Sequence, residues 1–90
     1  MHTTLNLPVQ LIASCSTLGD FTPLRFRYEN AEHRLITVSI DDILSTKEIH
    51  YNGMDEIIYT CYGTLEQESR LFTLKYIIRS HRWLIFQLLS

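Results

Sequence analysis

The residues in this 90-residue chain best suited to chemistry are four histidines, two cysteines and two adjacent acid pairs. His2, His33, His50 and His81 are not spaced as a metal pair. A zinc site needs three or four converging ligands with partners behind them. Asp41-Asp42 and Asp55-Glu56 are sequence neighbours. Neighbours on a strand point to opposite faces, so neither pair makes a carboxylate dyad. Cys15 and Cys61 lie in apolar runs without a Cys-x-x-Cys motif. They read as free, reduced thiols acting as small core hydrophobes. Three glycines are too few to build a phosphate-cradling loop, and no Gly-x-Ser-x-Gly elbow occurs. The expectation is a non-enzyme with no catalytic residue, no metal and no cofactor.

A second chemistry is base stacking. Arg25 and Arg27, with Tyr51 and Tyr62, could offer single-stranded nucleic acid a cationic surface with aromatic platforms, and Arg34, Lys75, Arg82 and Trp83 could extend it. Small β-barrels bind this way. The formal net charge of -2 argues against it, because general nucleic-acid binders carry a basic excess. Arginines on an outer strand face also serve simply to keep a sheet soluble. Nucleic acid is therefore the alternative reading.

These side chains must be positioned by strands. Leu24-Arg25-Phe26-Arg27-Tyr28, Ile57-Ile58-Tyr59-Thr60-Cys61 and Phe72-Thr73-Leu74-Lys75-Tyr76 alternate with a period of two, which puts every second side chain on one face. Repeated along a short chain, the pattern predicts an all-β fold, a small antiparallel SH3-like barrel or roll of about six strands. The chain forms one domain over 1–90, with residues 1–7 expected to fray. Pro8 opens the first strand, through Cys15. The second runs from Pro23 to Tyr28 and the third from His33 to Ile40. Residues 41–47 are either a helical turn or a bent continuation of that strand. Glu48 to Tyr51 is a short strand. Asn52-Gly53 is the strongest turn signal, since both central positions of a type I′ turn need positive φ. Met54 to Tyr62 returns, 63–69 is a polar loop, and Arg70 to Ile77 pairs with Trp83 to Leu89.

Two registers follow from matching apolar positions. Setting Leu24, Phe26 and Tyr28 opposite Val38, Ile36 and Arg34 leaves a three-residue loop and puts Arg25 and Arg27 outside with Thr37 and Leu35. Setting Phe72, Leu74 and Tyr76 opposite Leu88, Phe86 and Leu84 completes the last hairpin. The predicted core is Leu24, Phe26, Tyr28, Ile36, Val38, Ile40, Tyr59, Cys61, Phe72, Leu74, Leu84, Phe86 and Leu88.

This arrangement leaves an apolar second face on the last hairpin, carrying Ile77, Trp83 and Ile85. Exposed patches of this kind mark interaction sites, and tryptophan is a typical hot spot. The expected partner is a second copy, in a homodimer centred on Trp83 and Ile85, with Ile77 and Leu35 as further interface candidates. A different protein partner is also compatible with such a face. The intramolecular alternative is that Leu5, Val9 or Leu11 covers the patch and closes the barrel.

From Phe21 onward the pattern resembles small uncharacterised bacterial proteins with an SH3-like barrel. The resemblance is carried by Thr22-Pro23-Leu24-Arg25-Phe26-Arg27, Val38-Ser39-Ile40 through Ile43-Leu44, Tyr59-Thr60-Cys61, Phe72-Thr73-Leu74-Lys75-Tyr76 and the Trp83 strand. It spans roughly three quarters of the chain and implies a curled barrel without catalysis, with no functional residue to carry over. No apolar run approaches the roughly 18 residues of a spanning helix. The start of the chain lacks the basic and apolar regions of a signal peptide, so the expected compartment is the cytoplasm, with no membrane partner.

Overall fold

The computed structural model describes residues 3–19 and 21–89. They form seven antiparallel strands in one curled, barrel-like sheet, with no helix among the described residues. The strands are β1 (Thr3–Pro8), β2 (Gln10–Cys15), β3 (Phe21–Glu29), β4 (Leu35–Tyr51), β5 (Met54–Leu65), β6 (Glu68–Ile77) and β7 (Arg82–Leu88). Their spatial order is β1-β7-β6-β5-β4-β3-β2. The sheet thus begins and ends on consecutive stretches of chain, separated only by Val9. β1 pairs with β7 and β2 pairs with β3. At the break, the Val9 amide donates to the Trp83 carbonyl (3.0 Å).

The segment expected to fray is therefore ordered from Thr3 onward; residues 1–2 lie outside the described residues. Leu5, Leu7, Val9 and Leu11 turn inward against the core, alternating with the exposed Thr4, Asn6, Pro8 and Gln10. This segment supplies two strands where the sequence reading placed one. Residues 41–47 are a bent strand, which fuses two expected strands into the 17-residue β4.

Bulges account for most departures from the predicted registers. In β2–β3, Ile12 pairs with Arg25 but Ala13 pairs with Pro23, so Leu24 is the extra residue. Leu24 is 48% exposed and Pro23 is buried in its place. A bulge accommodates a proline that cannot donate to the ladder. In β6–β7, Thr73 pairs with Gln87 but Leu74 pairs with Ile85, so Phe86 is extra. The Thr73 hydroxyl accepts a bond from the Gln87 amide at this point (3.1 Å). The bulge reverses the faces of β7. Ile85 enters the core at 0% exposure, while Leu84 and Phe86, placed inside by the sequence reading, are only half-buried. Two further bulges, at Asp41 and Leu44, bend β4 along β5. Bulges increase twist and bend the strand that carries them.

The β3–β4 hairpin keeps its predicted faces in a register two residues away. Phe26 pairs with Val38 and Tyr28 with Ile36. The loop is longer than three residues because Asn30 organises it. Its Oδ1 accepts from the amides of Glu32 and Arg34 (2.9 and 3.0 Å), and its carbonyl accepts from the His33 amide. His33 takes the left-handed position at φ 61°. The Asn52-Gly53 turn forms as expected, at φ 50° and 77°. The expected 63–69 loop is instead a tight turn at Glu66 and Gln67, with φ 50° and 69°. It has the same double left-handed backbone without the asparagine or glycine that signals it.

The core comprises Phe26, Tyr28, Ile36, Val38, Tyr59, Cys61, Leu65, Phe72, Leu74, Tyr76 and Ile85. Phe26 meets Phe72 edge to face (centroids 5.5 Å apart). Trp83 lies against Tyr76 and Tyr59 (4.7 and 5.4 Å). Aromatic pairs at such spacings add about 0.5–1.5 kcal/mol beyond burial. Ile40 and Leu88 are half-buried at the edge of this cluster. Gly63 sits where β4 bends. A Cβ there would collide with the Ser39 carbonyl oxygen and stand 2.7 Å from the Phe72 ring.

Candidate interaction surfaces

Cross-strand partners share a face, so the ladder identifies the surfaces. On the outside of β4–β7 one row runs Lys47, Ile58, Lys75, Leu84, Pro8, and the next runs Ile49, Glu56, Ile77, Arg82. Ile49, Ile58, Ile77, Leu84 and Phe86 are all half-buried there. At the centre, Lys75 Nζ lies 3.7 Å from Glu56 Oε2 and 4.0 Å from the centroid of the Phe86 ring. Glu56 and the Lys75 side chain are largely hidden although both point outward. Their apolar neighbours and the long Lys75 stem provide that cover. Apart from sheet neighbours, the strands that touch appreciably are β1 and β3. Among the described residues no strand covers this outer face.

The predicted second face thus exists with altered membership. Ile77 is on it. Trp83 and Ile85 are not: Ile85 is core and Trp83 packs on the tyrosines inside, with Leu7 opposite Ile85. Leu84 and Phe86 replace them. Placing Trp83 and Ile85 on an outer face is corrected by the Phe86 bulge. The N-terminal segment packs inside, with Leu7 opposite Ile85, and does not cover the outer face in the way the intramolecular alternative expected. Leu35, 65% exposed, lies on a different part of the surface, opposite Glu29.

The second surface lies over β2–β4. A shallow groove of about 490 Å³ is bordered by Gln10, Ile12, Arg25, Arg27 and Thr37. Arg27 Nη2 donates to Gln10 Oε1 (2.8 Å), which fixes its direction. The smaller hollow beside it reaches Glu29 and Leu35, and Glu29 is engaged by His33 Nδ1 (2.9 Å).

The basic and aromatic residues do not converge. Arg25 and Arg27 share the groove. Tyr62 is on β5 beside Asp42, and Asp41 accepts from Thr64 Oγ1 (2.9 Å) in the same region, so carboxylates stand between it and the arginines. Tyr51 is at the far hairpin tip, opposite Met54. Arg34 pairs with Glu32 and Lys75 with Glu56.

The histidines are likewise dispersed. His50 lies between Asp55 (2.7 Å) and Glu48 (3.2 Å), and hydrogen bonds to these carboxylates raise its pKa above the ordinary 6.5. His81 Nδ1 meets the Tyr76 hydroxyl (2.9 Å), and His2 lies outside the described residues. Among the described residues no group of three or more His, Cys, Asp or Glu side chains is placed to hold a metal. Both thiols are free. Burial, and secondarily Asp42, pushes Cys61 up to about 12. Cys15, expected in the core, is exposed at the end of β2. Burial, with Glu66 nearby, also raises Tyr28, and Arg70 partly opposes this. No helix long and apolar enough to cross a membrane occurs among the described residues.

No family model, curated protein or solved structure matches this chain. The two surfaces must therefore be interpreted from their own chemistry. Sequence reasoning missed Leu84, Phe86, Ile58 and Ile49 on one surface, and Gln10 and Ile12 on the other. The first group was detectable only as excess hydrophobicity in strands whose inner faces were already full.

Proposed function

We propose that this chain is a non-enzymatic interaction module of the SH3-like barrel type, which works in the bacterial cytoplasm as a homodimer. The observation that carries the reading is the open outer face of β5–β7, where Ile58, Ile77, Leu84 and Phe86 surround a sequestered Lys75–Glu56 pair. A two-fold interface lays a patch against its own copy, so the patch must be apolar or carry both signs. This face is apolar and its central charges already neutralise each other. The arginine groove is cationic and would repel itself. Aromatic and aliphatic centres ringed by polar residues are the usual anatomy of stable interfaces.

The test is sedimentation or light scattering across a wide concentration range. The wild type should be a dimer, and Leu84→Glu should give a folded monomer with an unchanged circular dichroism spectrum. Trp83→Glu should unfold the chain, because Trp83 packs inside. A wild type that stays monomeric at the highest concentrations would exclude the homodimer.

A further inference from the structure

β2 ends the sheet. Among the described residues it pairs with β3 alone, so the backbone groups on its other edge have no strand beside them. An unpaired edge is a template for another strand, and natural sheets usually protect it with charge, proline or a short length. Gln10-Leu11-Ile12-Ala13-Ser14-Cys15 contains neither charge nor proline, and Ile12 is 51% exposed. The adjoining strand carries Arg25 and Arg27 on the outer face, bordering the groove that Gln10 and Ile12 share. Among the described residues neither arginine has a carboxylate within ion-pairing distance, although Gln10 already orients Arg27.

We infer that the free edge of β2 takes up an extended acidic peptide segment as an added antiparallel strand, with its carboxylates directed to Arg25 and Arg27. Backbone pairing at the edge supplies register, and side chains on one face of the added strand supply selectivity. Charge decides the occupant. Two copies joined edge to edge through β2 would bring four uncompensated arginines onto one continuous sheet face. An acidic strand neutralises the two that are there, and guanidinium groups favour carboxylates through paired hydrogen bonds. This site is separate from the β5–β7 face and does not depend on dimerisation.

The probe is a ten-residue peptide of alternating glutamate and valine, measured by calorimetry against the full chain. Three companions are the same peptide with alternate backbone amides methylated, a lysine–valine counterpart, and a ten-nucleotide oligothymidine. The acidic peptide should bind, and the Arg25→Glu/Arg27→Glu double variant should weaken it at least tenfold. Methylation should abolish binding, because it removes the edge hydrogen bonds while keeping the charge. The lysine peptide should not bind, and oligothymidine should not compete. Leu84→Glu should leave the affinity unchanged, which separates this site from the dimer face. Equal binding of the methylated peptide, no effect of the arginine variant, displacement by oligothymidine, or no binding of the acidic peptide would each overturn the proposal. Circular dichroism of the double variant confirms that it is folded; both side chains are exposed.

Discussion

Beyond Ser39, β4 leaves β3 behind, and over residues 40–51 its only strand partner among the described residues is β5. That flank carries Asp41, Asp42, Lys47 and Glu48, and is bent by bulges at Asp41 and Leu44. The free edge of β2 carries no charge, and the bulge beside it belongs to β3. Charge and bulges are two of the devices that prevent unwanted strand addition. Both operate along β4 and neither is built into β2. Two exposed edges of one sheet thus have opposite chemistry, so exposure by itself did not select the composition of β2.

The strongest contrast should appear in thiol chemistry, because one cysteine belongs to each region. Cys15 ends β2 and is exposed, whereas Cys61 pairs with Ile43 of β4 and is wholly buried. The Cys61 thiol, buried and pushed up to about 12, should react only when the sheet opens, and so far more slowly than the exposed Cys15. A thiol reagent should count one group per folded chain and two in denaturant. Equal rates would place the β4–β5 region among the mobile parts of the molecule and break the comparison.

Gly63→Ala is a smaller and more local perturbation. The new methyl would press on the Ser39 carbonyl and the Phe72 ring, where the Asp41 bulge turns β4 away from β3. Overpacking of this kind costs about 1–3 kcal/mol, a fall in Tm of roughly 10 °C for a domain of this size. An unchanged Tm would mean that β4 can bend without that close approach.

The smallest effect lies at the guarded flank's tip. Asp55 and Glu48 raise the His50 pKa, so the charged imidazole is favoured in the folded state. The associated stabilisation is fully present below pH 6.5 and is lost as pH rises through the raised folded value. His50 is exposed, so this contribution is slight. Proton NMR should place its midpoint above 6.5, and Asp55→Asn should lower it. A midpoint at or below 6.5 in the wild type would remove the ion cluster from the list of β4's guards.

How far the sequence revealed these regions depended on the kind of signal. Alternation across Leu24–Tyr28 and Arg70–Ile77 assigned the outward arginines and the inward Phe26, Tyr28, Phe72 and Leu74 correctly. Asn52-Gly53 located its hairpin because few other pairs accept that backbone. Leu84 to Leu89 failed because it is apolar at nearly every position. One inserted residue, Phe86, then exchanges inside for outside without leaving a pattern. Glu66-Gln67 was hidden because neither residue is a usual turn former. The β1 signal was present, since Leu5, Leu7, Val9 and Leu11 alternate with polar residues or proline. Pro8 in the middle of that run obscured a strand that changes partners there. The outer face and the β2 groove were only half-visible, because each depends on which strands become neighbours.

The shared origin of β1 and β2 also bears on how the chain folds. Thr3 pairs with Leu88, so the earliest strand finds its partner in the last one. During synthesis β1 has no ladder to join until β7 leaves the ribosome, while β2 can already dock on β3. Pairings between distant parts of a sequence close large loops and slow folding. Leu5 and Leu7 therefore gain their ladder only after β7 has become available, which makes β1 the strand expected to join the sheet last.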